Sequence, residues 1–273
     1  MGQAQSLPGW AGAPIPRNMT GEFQGPRTVI VTGGAKRIGA ALARALSADG
    51  WHLLIHCNKS VAEAEALAAE LGNASFVAAE LADPDAAGRI FAAAKGLPPV
   101  RLLVNNASRF AFDGADDFTA EQWDAHQAIN LRAPALLSQA FAAAAGEEGG
   151  LIVNLLDAKL SQPNPDFFSY TLSKMGLAGL TELTARAYAA RGIRVCGIAP
   201  SVTLVSGPQS RDNFSRVHKL NALRRGVDVA EIVGALRFMV ATPTLTGQVI
   251  TLDAGQRFLS LPRDVQFLEP NDE

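Results

Sequence analysis

Thr28-Val29-Ile30-Val31-Thr32-Gly33-Gly34-Ala35-Lys36-Arg37-Ile38-Gly39 is the stretch that decides the fold. It opens with a short β-branched run, which suits a pleated, buried strand. Glycines follow, where a chain turns tightly and lets another group approach its backbone. Apolar spacing from Ile38 to Leu46 then reads as a helix entered through those glycines. Such a turn lets a pyrophosphate approach the helix N-terminus, which stabilises it. The usual Gly-x-Gly-x-x-Gly is missing here, with Lys36 and Arg37 before Ile38 and Gly39. Glycine-rich turns are common, so this one gains its weight from its place between a strand and a helix.

The same alternation continues outward. Strand-like runs fall at Trp51 to His56, Ser75 to Val77, Val100 to Val104, Leu151 to Leu155, Arg194 to Ile198 and Gln248 to Leu252. Between them lie helix-like stretches at Val61 to Leu71, Asp85 to Lys95, Ala120 to Ala145, Ser169 to Ala190 and Ala230 to Val240. Pro134 is expected to perturb the longest of these, and Pro200 to stop the sixth strand. Continuous apolar strands separated by helices imply parallel strands covered on both faces. Right-handed crossovers then give a single α/β, doubly wound Rossmann-type domain with a seven-stranded parallel sheet. That domain is expected over residues 27–260, after a Gly/Pro-rich leader at 1–26 and before a tail at 261–273.

Composition excludes several functions. The 273 residues are 48% hydrophobic, enough for one sizeable core. A net charge of −2 gives no reason to expect nucleic acid or an anionic membrane as partner. No apolar run approaches a membrane span, and the start lacks the pattern of a signal peptide. Cys57 and Cys196 sit in or beside strand-like runs without metal-ligand spacing, which reads as a reduced, cytoplasmic setting. His52, His126 and His218 are isolated, so no metal site is expected.

The end of the second strand discriminates between cofactors. Binders of NAD typically place an acid there, against the ribose 2′-hydroxyl. This chain has His56-Cys57-Asn58-Lys59-Ser60, with positive charge and a hydroxyl instead. That suits a 2′-phosphate, with Lys36 or Arg37 adding charge, so NADP(H) is expected over NAD(H).

Tyr170 and Lys174 are four apart on one helix and share a face. An ammonium beside a phenol lowers its pKa and makes it a usable acid–base group. Tyr-x-x-x-Lys occurs often by chance. Its company here, the glycine turn and Asn105-Asn106-Ala107 after the fourth strand, makes chance a poor account. Upstream, Asp157 follows the apolar run 151–156.

These pieces together resemble the short-chain dehydrogenase/reductase family, over about Thr28 to Gly255. The resemblance is to its pteridine and dihydromonapterin reductase branch. It rests on residues 32–39, on Asn-Asn-Ala-Ser-Arg-Phe at 105–110, on Asp157 with Tyr170 and Lys174, and on Ile-Ala-Pro-Ser at 198–201. Asp157 stands where most of the family carries a catalytic serine, and Arg37 where it carries its second glycine. The resemblance implies a catalytic tetrad of Asn130, Asp157, Tyr170 and Lys174, with Asn130 helping to hold Lys174 through water. It implies cofactor contacts along the glycine turn (Gly33, Lys36, Arg37, Ile38, Gly39) and the second strand end (His56, Asn58, Lys59, Ser60). Further contacts are implied at Glu80, Leu81, Asn106, Ala107, Ser108, Pro200 and Ser201, besides Tyr170 and Lys174. Glu80 replaces an aspartate that touches adenine, and Ser201 a frequent glycine. It implies Phe110 stacking on a flat substrate. It also suggests a homotetramer built on helices 120–145 and 169–190, with the tail after Phe258 near a neighbour's site.

The substitution at Asp157 has chemical content. A pterin ring is rich in N–H donors, which a carboxylate accepts, whereas a serine suits a lone ketone oxygen. Arg37 meets ring acceptors and Phe110 meets the ring face. Substrate contacts are therefore expected from Arg37, Phe110, Asp157 and Tyr170. Two other readings stay open: a reductase of a carbonyl compound such as an oxoacyl thioester or small ketone, and a non-catalytic NADPH sensor.

Overall fold

The computed structural model describes residues 23, 25–206 and 209–268. Most of the proposed leader and the last five positions of the tail lie outside the described residues. Seven strands form one parallel sheet: β1 Thr28–Val31, β2 His52–Cys57, β3 Ala74–Ala78, β4 Val100–Asn105, β5 Gly150–Leu155, β6 Ile193–Pro200 and β7 Val249–Leu252. Their order across the sheet is β3-β2-β1-β4-β5-β6-β7. The order reverses between β1 and β4, and a doubly wound sheet opens a crevice at the carboxyl ends of its strands there.

The strands alternate between two cores. Val29, Val31, Leu53, Ile55, Leu102 and Val104 face helices α1 (Arg37–Ala48), α2 (Val61–Leu71) and α8 (Val229–Ala241). Ile30, Leu54, Leu103 and Ile152 face the other side, with α3 (Ala86–Ala93), α5 (Ala133–Ala144) and α6 (Phe168–Tyr188). Burial on both faces explains why these strands read as continuous apolar runs.

Two details differ from the sequence expectation. The stretch 120–145 is no single helix perturbed at Pro134. Helix α4 (Ala120–Gln127) passes into a π-turn at Ala128–Arg132, where the Ala133 N–H reaches back to the Ala128 carbonyl, and α5 begins beyond it. Pro134 sits in the first turn of α5, where a missing N–H costs least. The wide turn carries Asn130, and such insertions are frequent at functional sites. The sixth strand includes Pro200, and the Ser201 N–H continues the pairing to the Leu252 carbonyl at 2.9 Å. The remaining helix, α7 (Arg211–Val217), lies in the long connection after β6.

Candidate active site

A cleft of about 490 Å³ opens at the carboxyl ends of the strands. Its floor is the glycine turn. Gly33 has φ +60° and donates its N–H to His56 Nδ1 at 3.2 Å, while Gly34 donates to the His56 carbonyl at 2.9 Å. His56 Nε2 lies 2.9 Å from the Ala79 carbonyl, so both ring nitrogens are engaged and the ring is buried. His56 therefore holds the turn in shape and presents no free atom to a ligand, which corrects its expected role as a direct cofactor contact. Leu81 likewise buries its side chain in the core.

The turn fits a dinucleotide on its own geometry. A Cβ on Gly39 would lie 2.2 Å from the Gly33 carbonyl and 2.7 Å from Asn106 Nδ2, so only glycine lets the helix start so close to the turn. Asn106 Nδ2 bonds the Thr32 carbonyl at 2.8 Å, and Thr32 Oγ1 accepts from the N–H groups of Asn106 and Ala107, both at 3.0 Å. Helix α1 starts at Arg37, and among the described residues the preceding Lys36 makes no side-chain cap, leaving the first N–H groups for a ligand. Arg37 has φ +54°, a left-handed conformation costing a non-glycine residue about 1–2 kcal/mol. It lines the cleft and reaches Ser206 Oγ only at 3.4 Å. At the end of β2, Asn58 donates to Glu80, and Lys59 is exposed with no ion pair among the described residues. Lys36 pairs with Glu63 at 2.5 Å across the start of α2.

The reacting groups meet at the other end. Tyr170 donates its hydroxyl to Asp157 Oδ2 at 2.7 Å, and Asp157 Oδ1 accepts from the Lys159 N–H at 2.8 Å. Lys174 is buried, with Nζ on the Leu155 carbonyl at 2.7 Å and 5.8 Å from the Tyr170 ring centroid. Burial lowers the Lys174 pKa to about 8. The phenol moves the opposite way from the sequence expectation: burial first, then the Asp157 charge and its hydrogen bond, push it well above its usual value. The reason is positional. Lys174 is tied to a carbonyl, whereas Tyr170 bonds directly to an acceptor carboxylate. Tyr170 is thus a protonated donor at neutral pH.

Asn130 does not meet Lys174 by its side chain. Its Nδ2 bonds the Arg109 carbonyl and Ser173 Oγ, both at 2.9 Å, and its Oδ1 accepts from the Arg109 N–H at 2.8 Å. It anchors the 108–110 loop to α6. That loop presents Phe110, whose ring stacks on Phe167 at 4.2 Å and meets Tyr170 edge-on at 4.8 Å. Phe110 lines the cleft with Ser108, Pro200 and Ser201.

The tail departs most from expectation. Residues 261–268 fold over the chain's own cleft, contributing Leu261 and Arg263 to Gln266 to its wall. Asp166 holds Arg263 at 3.0 and 3.2 Å and accepts from the Asp264 N–H at 2.8 Å. Phe267 stacks on Phe167 at 5.8 Å. Lys159, Asp166, Arg263 and Asp264 carried no sequence signal, because no spacing rule joins a loop near 160 to a tail near 264.

Two buried histidines contribute a pH dependence to stability on the acid side. His56 and His126 both have pKa values lowered by burial. His126 Nδ1 lies 2.6 Å from Ser169 Oγ, which donates to Asp113. The unfolded chain binds a proton on each near pH 6.5, where the folded chain holds them neutral. Stability is therefore full above about pH 6.5 and falls as pH drops below it. Thermal melts should show Tm decreasing from about pH 7 towards about pH 5. A Tm constant over that range would contradict this.

The short chain dehydrogenase family profile matches residues 27–213. Pteridine reductase 1 of Leishmania tarentolae is 30% identical over 277 residues, covering 83% of this chain and 94% of that protein. Probable galactose dehydrogenase GalD of Rhizobium meliloti is 32% identical over 84% of this chain and 94% of its own length. Among solved structures, FolM alternative dihydrofolate reductase 1 of Brucella suis, in complex with NADP, superposes with a TM-score of 0.81 at 40% identity. It covers 85% of this chain and 95% of that one. The expected NADP(H) cofactor and seven-stranded fold agree with these relatives. No helix among the described residues is long and apolar enough to cross a membrane. The chain belongs to the short-chain dehydrogenase family.

Proposed function

We propose that this chain is an NADPH-dependent reductase of a pterin-like heterocycle, of dihydropteridine or dihydromonapterin type. One observation carries the reading: an acceptor carboxylate, Asp157, lines the cleft 2.7 Å from the Tyr170 hydroxyl. A ketone oxygen developing negative charge beside that carboxylate is disfavoured. A ring bearing N–H donors is favoured, and hydrogen bonds to charged groups are the stronger ones. The Leishmania and Brucella relatives support the same class.

Bound NADPH would supply the hydride for a C=N carbon of the ring. The chain's own residues handle the rest. Tyr170 holds the proton and passes it to the ring nitrogen, directly or through Asp157 and water. Lys174, fixed on the Leu155 carbonyl, keeps positive charge near the phenol as it gives up that proton. Asn130 holds the loop carrying Phe110, which lies against one face of the ring. Arg37 faces ring acceptors. The galactose dehydrogenase relative favours a second reading, reduction or oxidation of a carbonyl or sugar substrate. Deuterated NADPH, labelled at both nicotinamide C4 positions, tests these with a dihydropterin, a dihydrofolate and a small ketone. Deuterium in tetrahydropterin supports the proposal; deuterium only in the alcohol overturns it.

Preference for NADPH is assigned to Lys59 and Ser60, with no acid at the end of β2. Lys59→Ala should weaken NADPH binding by about two- to fivefold, the scale of an exposed charge contact, and leave NADH nearly unchanged. Calorimetric titration with both cofactors checks this. NADH binding as tight as NADPH in the unmutated chain would defeat the assignment.

Assembly and place follow the same reading. Met175 and Leu183 are exposed on α6, which supports pairing of that helix between subunits of a homotetramer. Light scattering should give about four times the 28.7 kDa chain mass. A 28.7 kDa particle at micromolar concentration would refute the tetramer. Free, buried Cys57 and Cys196 support the cytoplasm as its place.

A further inference from the structure

The cleft holds a second carboxylate that the reaction as described leaves unused. Asp264 comes from the chain's own C-terminal segment and lines the same wall as Asp157 and Lys159. Its side chain is 18% exposed. One oxygen, Oδ1, accepts from the Gln266 N–H at 3.2 Å, closing the short helical turn Val265–Phe267. The other, Oδ2, lies 3.5 Å from Lys159 Nζ. Capping that turn needs only one oxygen, so the cap accounts for half of the carboxylate.

Lys159 is itself nearly buried. Its Nζ bonds the Asp166 carbonyl at 2.5 Å and sits 5.4 Å over the Phe167 ring. The lysine is therefore held from two sides and holds Asp264 in turn. Asp264 lines the same cleft as Asp157 and Tyr170, and burial, with the Asp157 charge adding to it, pushes its own pKa up. Two acceptors of like charge facing one cleft repel each other and lose solvation. A ligand rich in N–H donors offsets both costs, whereas a ketone offsets neither. The side-chain oxygen of Asn164, in the same cleft, is buried without a partner among the described residues. This wall offers more acceptors than the protein fills.

We propose that Asp264 is a specificity-determining residue that touches the substrate: held by Lys159, its carboxylate accepts a hydrogen bond from the exocyclic amino group of the heterocycle. This rests on the pterin reading and adds a second acceptor, supplied in cis by the tail, to Asp157. Lys159 is then a positioning residue.

The test compares two substrates with NADPH: a dihydropterin bearing the 2-amino group, and the matching dihydrolumazine with oxygen in its place. Asp264→Ala should lower kcat/KM for the amino compound about 10- to 100-fold, the scale of a lost hydrogen bond to a charged group. It should change the lumazine value less than about threefold, and leave NADPH binding intact. Asp264→Asn keeps a capping side chain and separates loss of charge from loss of the turn. It should lose selectivity for the amino compound at unchanged Tm. Lys159→Met should raise KM for the amino compound more than it lowers kcat, with Lys159→Arg restoring most of the difference. Equal losses on both substrates, or no loss on either, overturn the role of Asp264 and leave the pterin reading standing. An unmutated protein that reduces neither compound but does reduce ketones overturns both.

Discussion

Tyr170→Phe should lower turnover about 10²–10⁴-fold while NADPH binding survives, the usual scale for a positioned acid–base group. The substitution keeps the ring, and so keeps its edge contact with Phe110 at 4.8 Å. It removes only the hydroxyl that donates to Asp157 at 2.7 Å. Because burial and Asp157 raise the phenol pKa well above its ordinary value, Tyr170 holds its proton across the neutral range. In the proposed reaction its role is to give a proton, which the protonated phenol holds before the substrate enters. Cofactor titration and single-turnover kinetics separate the two effects. Turnover near that of the unmutated protein would mean that water or another group donates.

Asp157→Ser should harm pterin reduction far more than cofactor binding. Asp157 receives two donors, the Tyr170 hydroxyl and the Lys159 N–H. Serine still bonds the phenol but offers no anionic acceptor to a ring N–H. Losing a hydrogen bond to a charged group costs about 1.5–3 kcal/mol, or roughly 10- to 150-fold in kcat/KM. The same change removes the charge that a ketone oxyanion would meet, so ketone reduction should hold or rise. It also relieves part of the upward push on the Tyr170 phenol, so the pH profile of kcat should shift to lower pH. Steady-state kinetics on a dihydropterin and a ketone decide the matter. Equal effects on both substrates would show that Asp157 does not discriminate between them.

Much of this site is legible in the sequence because its geometry is local. The strand, turn and helix from Thr28 onward fix the cofactor floor within one crossover, and Tyr170 and Lys174 share a helix face by spacing alone. Asp157 is legible because it lies just past the end of a strand whose neighbours are already placed. The direction of the Tyr170 pKa was not legible. It depends on whether Lys174 bonds the phenol or the Leu155 carbonyl, a choice made by the packing of α6 against β6, which brings Lys174 to the end of β5. The role of His56 was hidden for a similar reason. A histidine at a strand end reads as a ligand contact until its partners across the sheet, the Gly33 amide and the Ala79 carbonyl, are known. Least legible was the tail. Ion pairs such as Arg263 to Asp166 join positions 97 apart, and no periodicity records them.

On the proposed reading, Asp157 makes this cleft select a donor-rich ring over a ketone. The most direct measurement is kcat/KM of the unmutated protein with NADPH for a dihydropterin, divided by kcat/KM for a small ketone. A ratio of about 10² or more is predicted, the discrimination expected when a site's buried polar groups are paired by one substrate and left unpaired by the other. A ratio at or below about one would contradict the account.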